Sequence, residues 1–276
     1  MRGAGVTRPR AGAAPILLVG AGRMGTALLT GWLAKGLGPV VVVEPAPSPR
    51  IKKLAGVTVV SDMEKLSTQR FRACVVALKP QILKAQAPRL RSVAASGTAM
   101  ISIAAGTSIK SLSRVWGTKA RIIRTMPNTP GAIGRGITAL YASPVASASD
   151  RKLAQNLLGA LGETVWVNSE ALIDAATALS GSGPAYVFLL VEALAAAGEA
   201  EGLPPTVAEG LARATVAGAA ALLDTDERPA SQLRRDVTSP GGTTEAALKI
   251  LMSKDGLEKL MRRAVAAAHK RAAQLR

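Results

Sequence analysis

The chain has 276 residues, is 48% hydrophobic, carries a formal charge of +17 at neutral pH and contains one cysteine and one histidine. That length buries a core without covalent staples, and that apolar content excludes an intrinsically disordered chain. A lone cysteine excludes an internal disulfide, the single histidine leaves no Cys/His set for a metal, and a reducing, cytoplasmic compartment is expected. The basic residues are scattered, with pairs at Lys52-Lys53, Arg234-Arg235 and Arg262-Arg263, and aromatics make up only 3%. Such a surface attracts small anions better than it stacks bases, so no nucleic-acid partner is expected.

Residues 1–14 carry Arg2, Arg8 and Arg10 without the apolar core of a secretory signal and are expected to be a disordered extension. Residues 15–33, "PILLVGAGRMGTALLTGWL", then run from an apolar strand through glycines into a helical pattern at Met24, Leu28, Leu29, Trp32 and Leu33, stopped at Gly36/Gly38. "VVVVE", ending at Glu44, reads as a buried strand. Further strands are expected at 57–60, 73–78, 100–103, 120–125 and 136–141, with helices at 81–92 and 108–116 and one capped near Ser149 and Asp150. "ETVWVN" from Glu163 ends the β-containing half. Strands alternating with helices imply an α/β fold, a parallel sheet covered on both faces.

From Ser169 no strand is legible, and the chain is Ala- and Leu-rich, punctuated by "SGSGP", "GLPP" and "TSPGG". The expected organisation is an extension (1–14), a Rossmann-type dinucleotide-binding domain (15–167) and an all-helical dimerisation domain (168–276). Helices at 184–201 and 207–223 are apolar around most of their circumference, which calls for burial against a second subunit. The best candidate for an uncharged run of membrane length, 184–198, is interrupted by Glu192, so no membrane partner is expected.

Gly20-x-Gly22-x-x-Gly25 follows a strand and opens a helix, the context in which backbone N–H groups and the helix dipole receive a pyrophosphate. The same glycines would also serve a tight turn without ligand. Ala21, Arg23 and Met24 complete the loop, and Arg23 is either a cation beside the phosphates or an exposed side chain. Glu44, at the end of the second strand, stands where a carboxylate accepts from a ribose 2′-hydroxyl and repels a 2′-phosphate, which favours NADH over NADPH. Ser48, Arg50, Lys52 and Lys53 follow within reach of a phosphate. Ala77, Lys79 and Pro80 in "ALKP", and Asn128 in "MPNTP", end later strands on the side where such sheets bind the cofactor. In the helical half, "LSGSGPAY" (179–186) and "DVTSPGGTTEAAL" (236–248) each precede a helix. The second gathers the hydroxyls of Thr238, Ser239, Thr243 and Thr244 beside Gly-Gly, a nest for a carboxylate beyond what capping needs.

In "VGAGRMG", "ALKP", "IAAGTS", "RIIRTMPNTP", "ALSGSGPAYVF" and "DVTSPGGTTEAAL", taken in order from about Ile16 onward, the chain resembles the pyrroline-5-carboxylate reductases. The resemblance implies hydride transfer from NAD(P)H to the C=N of 1-pyrroline-5-carboxylate, giving L-proline. It also implies helical domains intertwined in a homodimer, with dimers gathered into rings such as a decamer. By the same resemblance Gly20, Ala21, Gly22, Arg23, Met24 and Gly25 form the pyrophosphate site. Val237, Thr238, Ser239, Pro240, Gly241, Gly242, Thr243 and Thr244 form the substrate loop, with the Thr244 hydroxyl contacting the ring nitrogen as the catalytic group. The chain departs from family members that use NADPH in having Glu44 before Pro45 and Met63 where they carry Asn. His269 lies in a terminal helical run and is a poor catalytic acid, which suits an iminium that accepts hydride without one. The alternatives are another imine or β-hydroxyacid reductase, disfavoured because no helix lysine precedes Lys249 in the second half, and a nucleotide-sensing, nucleic-acid-binding regulator.

Overall fold

The computed structural model describes residues 14–66 and 69–275, so the expectation for the first thirteen residues lies outside it. The strands are β1 (Ile16–Val19), β2 (Val40–Val43), β3 (Val57–Val60), β4 (Ala73–Val76), β5 (Ala99–Ser102), β6 (Ile122–Met126), β7 (Gly136–Ala142) and β8 (Gly162–Trp166). They form one sheet in the order β3-β2-β1-β4-β5-β6-β7-β8. Helices α1 (Arg23–Ala34), α2 (Pro49–Lys52), α3 (Pro80–Gln86), α4 (Arg91–Ala95), α5 (Ile109–Trp116) and α6 (Ala148–Leu158) connect them. Then follow α7 (Ala171–Ala176), α8 (Gly183–Ala200), α9 (Pro205–Thr225), α10 (Ala230–Asp236), α11 (Thr243–Leu251) and α12 (Leu257–Gln274).

Alternation within the short strands divides two cores. Ile16 and Leu18 point to one face with Leu28, Leu29 and Trp32 of α1 and Leu157 and Leu158 of α6. Leu17 and Val19 point to the other, with Leu83 of α3, Leu90, and Leu112 and Trp116 of α5. Both faces being covered, the strands read as unbroken apolar runs. The Trp32 indole donates to the Leu157 carbonyl at 2.8 Å, which satisfies its one polar group inside the first core.

Three expectations are refined. The sheet is parallel from β3 through β6, but β7 runs antiparallel to β6, and β8 follows β7. The link from β6 to β7 is only a 3-10 turn, Thr129–Ile133, too short for the helical crossover that a parallel neighbour needs. The helix expected at 81–92 is broken into α3, a 3-10 turn (Ala87–Leu90) and α4, because Pro88 has no N–H to give a regular helix. Helix α6 is capped by Ser147, in a reciprocal capping box with Asp150, two residues earlier than Ser149.

Residues 14–181 and 269–275 form one compact unit and residues 182–268 another. The helical region thus starts inside the sheet unit: α7 and the π-helical turn that follows it, Thr177–Gly181, belong to the sheet unit, because a buried ion pair described below holds α7 to β6. In the other unit α8 packs on α9, yet only Ala208 and Ala212 are buried there. Phe188 and Leu189 are each 63% exposed, and Leu211 and Leu222 are also bare. The π-helical turn joins α7 to α8 through a bend at Ser182, and the stretch 171–200, like Pro205–Thr225, is long and apolar enough to cross a membrane by length and composition. Glu192 still interrupts the uncharged run 184–198, and both stretches reach that length only with charged residues inside them.

Candidate active site

The strand order reverses direction of travel between β1 and β4, the point at which open α/β sheets leave a crevice outside their carboxyl ends. The glycine loop spans that point. Gly20 has φ +92°, a left-handed conformation, and a Cβ there would lie 2.9 Å from the Ala77 carbonyl oxygen. Gly25 is buried where any Cβ would collide with the Gly20 carbonyl, so its lack of a side chain seats α1 against the loop. Gly22 is the N-cap of α1, exposed and with open space where a Cβ would be. The first turn of α1 lacks any acidic residue or side-chain cap, so its N–H groups face outward with their partial positive charge. The cradle fits a dinucleotide pyrophosphate. Arg23 is exposed beside it, Met24 is half-buried, and Ala77 packs against the loop from β4.

Glu44 closes the other side. Its Oε2 accepts from the Ala21 N–H at 2.8 Å and its Oε1 from the Ala46 N–H at 3.2 Å. A carboxylate fixed by two backbone donors has little freedom to swing away from the loop. It borders a cavity of about 500 Å³ shared with Pro45, Lys52, Val59 and Ser61. Of Ser48, Arg50, Lys52 and Lys53, Ser48 accepts from the Ile51 N–H at 3.5 Å as the cap of α2, and Lys52 lines the cavity. Met63 is a buried core side chain packed with Phe71 and Leu66.

Lys79 and Pro80 start α3 at the carboxyl end of β4, with Lys79 exposed as the N-cap. Asn128 follows β6, and its carboxamide is turned into the fold: Oδ1 accepts from the Ile137 N–H at 3.0 Å and Nδ2 donates to the Ser180 carbonyl at 3.2 Å. Both ends of the Asn128 carboxamide are thus engaged within the sheet unit.

The hydroxyl-rich loop of the helical unit is a tight turn between α10 and α11. The Gly242 N–H donates to the Ser239 carbonyl at 3.0 Å, and Gly241 has φ +71°. The Thr238 hydroxyl donates to the Arg234 carbonyl at 2.6 Å, so its proton finishes α10 while its oxygen can still accept. Gly242 is the N-cap of α11 and makes no side-chain cap, which leaves Thr243 and Thr244 in the first turn with their N–H groups at the positive end of the helix. Glu245 reaches back to the Gly241 N–H at 2.9 Å. Ser239, Pro240 and Thr243 are exposed, Thr244 half-buried, and Val237 is 67% exposed.

Residues 170–275 match the family model for pyrroline-5-carboxylate reductase dimerisation, and residues 15–106 match that for NADP oxidoreductase, coenzyme F420-dependent. The pyrroline-5-carboxylate reductase of Pseudomonas aeruginosa is 39% identical over 263 residues, covering 94% of this chain and 96% of its own. The chain belongs to the pyrroline-5-carboxylate reductase family. The structure of a pyrroline-5-carboxylate reductase from Coxiella burnetii matches with a TM-score of 0.87 at 36% identity, covering 95% of this chain and 98% of that one. That of the Plasmodium falciparum pyrroline carboxylate reductase with NADP bound matches with 0.80 at 27%, again over 95% and 98%. A nicotinamide dinucleotide is the cofactor class, and the dimerisation region of these reductases coincides with the helices left bare here.

Sequence reasoning missed one ion-pair cluster that joins β6 to α7 and to the start of α5. Arg124 on β6 is 1% exposed and pairs with Asp174 at 2.7 Å and Glu170 at 3.1 Å, both at α7. Glu170 also accepts from the Ile109 N–H at 2.7 Å, which caps α5 just after the "AAGTS" loop. The one available signal was an arginine inside an otherwise apolar strand, "RIIRTM". Cys74 is wholly buried and desolvation pushes its thiol pKa up, so it supplies no nucleophile.

Proposed function

We propose that the chain transfers hydride from NADH to the C=N carbon of 1-pyrroline-5-carboxylate and releases L-proline, the final step of proline biosynthesis. The observation that carries this reading is the likeness over 94% of the chain to a reductase of that name, which takes in both the glycine cradle and the hydroxyl-rich turn. Gly20, Ala21, Gly22, Arg23, Met24 and Gly25 hold the pyrophosphate, and Ala77, Lys79, Pro80 and the backbone around Asn128 line the rest of the cofactor site. Reduced nicotinamide, when bound, supplies the hydride. Glu44 prefers a ribose 2′-hydroxyl, because its fixed carboxylate would meet a 2′-phosphate charge to charge.

Val237, Thr238, Ser239, Pro240, Gly241, Gly242, Thr243 and Thr244 bind the imino acid together with the bend that opens α8. The Ser239 hydroxyl and the Thr243 and Thr244 N–H groups receive its carboxylate, and the Thr244 hydroxyl contacts its ring nitrogen. The imine enters as the protonated iminium, so the hydride completes the C–H bond and no side chain surrenders a proton to carbon. Catalysis rests on positioning and electrostatics, in keeping with a site that has no histidine. The enzyme works in the cytoplasm as a homodimer whose α8 and α9 faces meet a second copy of the chain, and those dimers gather into a decamer.

The test mixes purified protein with the imino acid and either reduced cofactor, following nicotinamide absorbance and proline. Proline formed mole for mole with oxidised cofactor, at higher kcat/KM with NADH, is the expected result. Absence of proline with both cofactors overturns the activity, and a strong NADPH preference overturns the role of Glu44. Thr244→Ala is expected to lower kcat with an unchanged melting temperature.

A further inference from the structure

The helix entering the second unit contains Pro184, and a regular helix would ask residue 184 to donate its N–H to the carbonyl of residue 180. Proline has none to give. The next N–H, that of Ala185, goes to the Ser182 carbonyl at 3.0 Å. The Ser180 carbonyl instead receives the Asn128 Nδ2 at 3.2 Å. The orientation of the carboxamide is set by its other end, because only an oxygen can accept the Ile137 N–H at 3.0 Å. The π-helical turn Thr177–Gly181 is pinned to β6 once more at Gly181, where a Cβ would lie 2.7 Å from the Met126 Cε. One turn earlier, the Arg124–Asp174 pair ties α7 to the same strand.

We infer that Asn128 is a positioning residue for the imino acid: its carboxamide replaces the N–H that Pro184 lacks and fixes the Ser180 carbonyl from which the bend at 180–184 departs. This rests on the reading above that the bend contacts the substrate. Asn128 then acts on the imino acid through Ser180, and its side chain makes no contact with the cofactor.

The decisive variant is Asn128→Asp, which keeps size, shape and the acceptor for Ile137 but sets a carboxylate oxygen against the Ser180 carbonyl. At neutral pH it should raise KM for the imino acid by roughly tenfold, the scale for an acceptor withdrawn from water in part and left without its donor. The dissociation constant for reduced cofactor, read by fluorescence titration, should not change. As pH falls, the carboxylate takes up a proton and again has an O–H to donate, so the ratio of wild-type to variant kcat/KM should shrink toward one. Substrate protonation is common to both proteins and cancels in that ratio.

Pro184→Ala supplies the rescue, because it returns a backbone N–H to Ser180, and Asn128→Asp should do much less harm in that background. Equal imino-acid KM in wild type and N128D overturns the inference, as does a defect confined to cofactor affinity, or one that neither acid nor Pro184→Ala relieves. If the wild-type protein forms no proline, it is the functional reading that falls, and the inference with it. A wild type that forms proline beside an unimpaired N128D removes the inference alone.

Discussion

The sheet unit and the helical unit handle their apolar surface in opposite ways. In the first, two cores lie on either face of the sheet, and Trp32, Leu28, Met100 and Leu112 are essentially withdrawn from water. In the second, α8 and α9 bury two alanines and leave Phe188, Leu189, Leu211 and Leu222 bare. A unit that buries so little cannot offset its own conformational entropy alone, whereas the sheet unit can. The glycine cradle thus sits on a scaffold complete in one chain. The hydroxyl-rich turn sits on helices whose family model is one of dimerisation.

The sharpest way to break this contrast is Arg124→Met. It strands the buried carboxylate of Asp174 and should cost about 3–5 kcal/mol, read as a lower urea midpoint that does not depend on protein concentration. A concentration-dependent loss would mean that the sheet unit also leans on a partner. Next, Phe188→Asp should weaken self-association by roughly thirtyfold or more, as a central interface residue does, measured by sedimentation across a dilution series. Fluorescence from Trp32 and Trp116, buried in the sheet unit, should stay as in the wild type. Assembly that survives the substitution would assign that face another use.

Glu44→Ser should sharpen the account of the complete unit by moving the NADPH to NADH ratio of kcat/KM roughly tenfold toward NADPH, within one-chain chemistry that assembly does not alter. The smallest effect is expected in the helical unit. Asp226 follows α9, and the hydrogen bond from Arg228 holds its carboxyl below the usual range. A depressed pKa gives stability that is present above the ordinary carboxylate value and lost as pH falls through the folded one. The melting temperatures of wild type and Asp226→Asn should therefore differ slightly at neutral pH and converge as pH falls below the ordinary carboxylate range, with salt shrinking the gap because the pair is exposed.

The strands were legible because each is a short apolar run bounded by glycine or a turn, and the cradle because three glycines fall at fixed intervals after one of them. The direction of β7 was not, since a strand and its reverse have the same composition and only the short link decides. The π-helical turn also escaped notice: "LSGSGP" reads as a helix break, and the donor that serves the Ser180 carbonyl there is a carboxamide from a distant part of the chain. Nor did any local pattern couple Glu170 to Ile109 or Arg124 to Asp174, which lie far apart along the chain.

By itself the sequence determined the α/β half, the position of the cofactor loop, the helical half and the hydroxyl-rich turn, because these depend on local periodicity and on which residues tolerate tight bends. Tertiary structure alone decided that Asn128 faces Ser180, that Thr238 gives its proton to its own helix end, and that Glu44 clasps the Ala21 amide. The physical reason is that a hydrogen-bonding group has several possible partners along an extended chain, and only the packed backbone removes all but one.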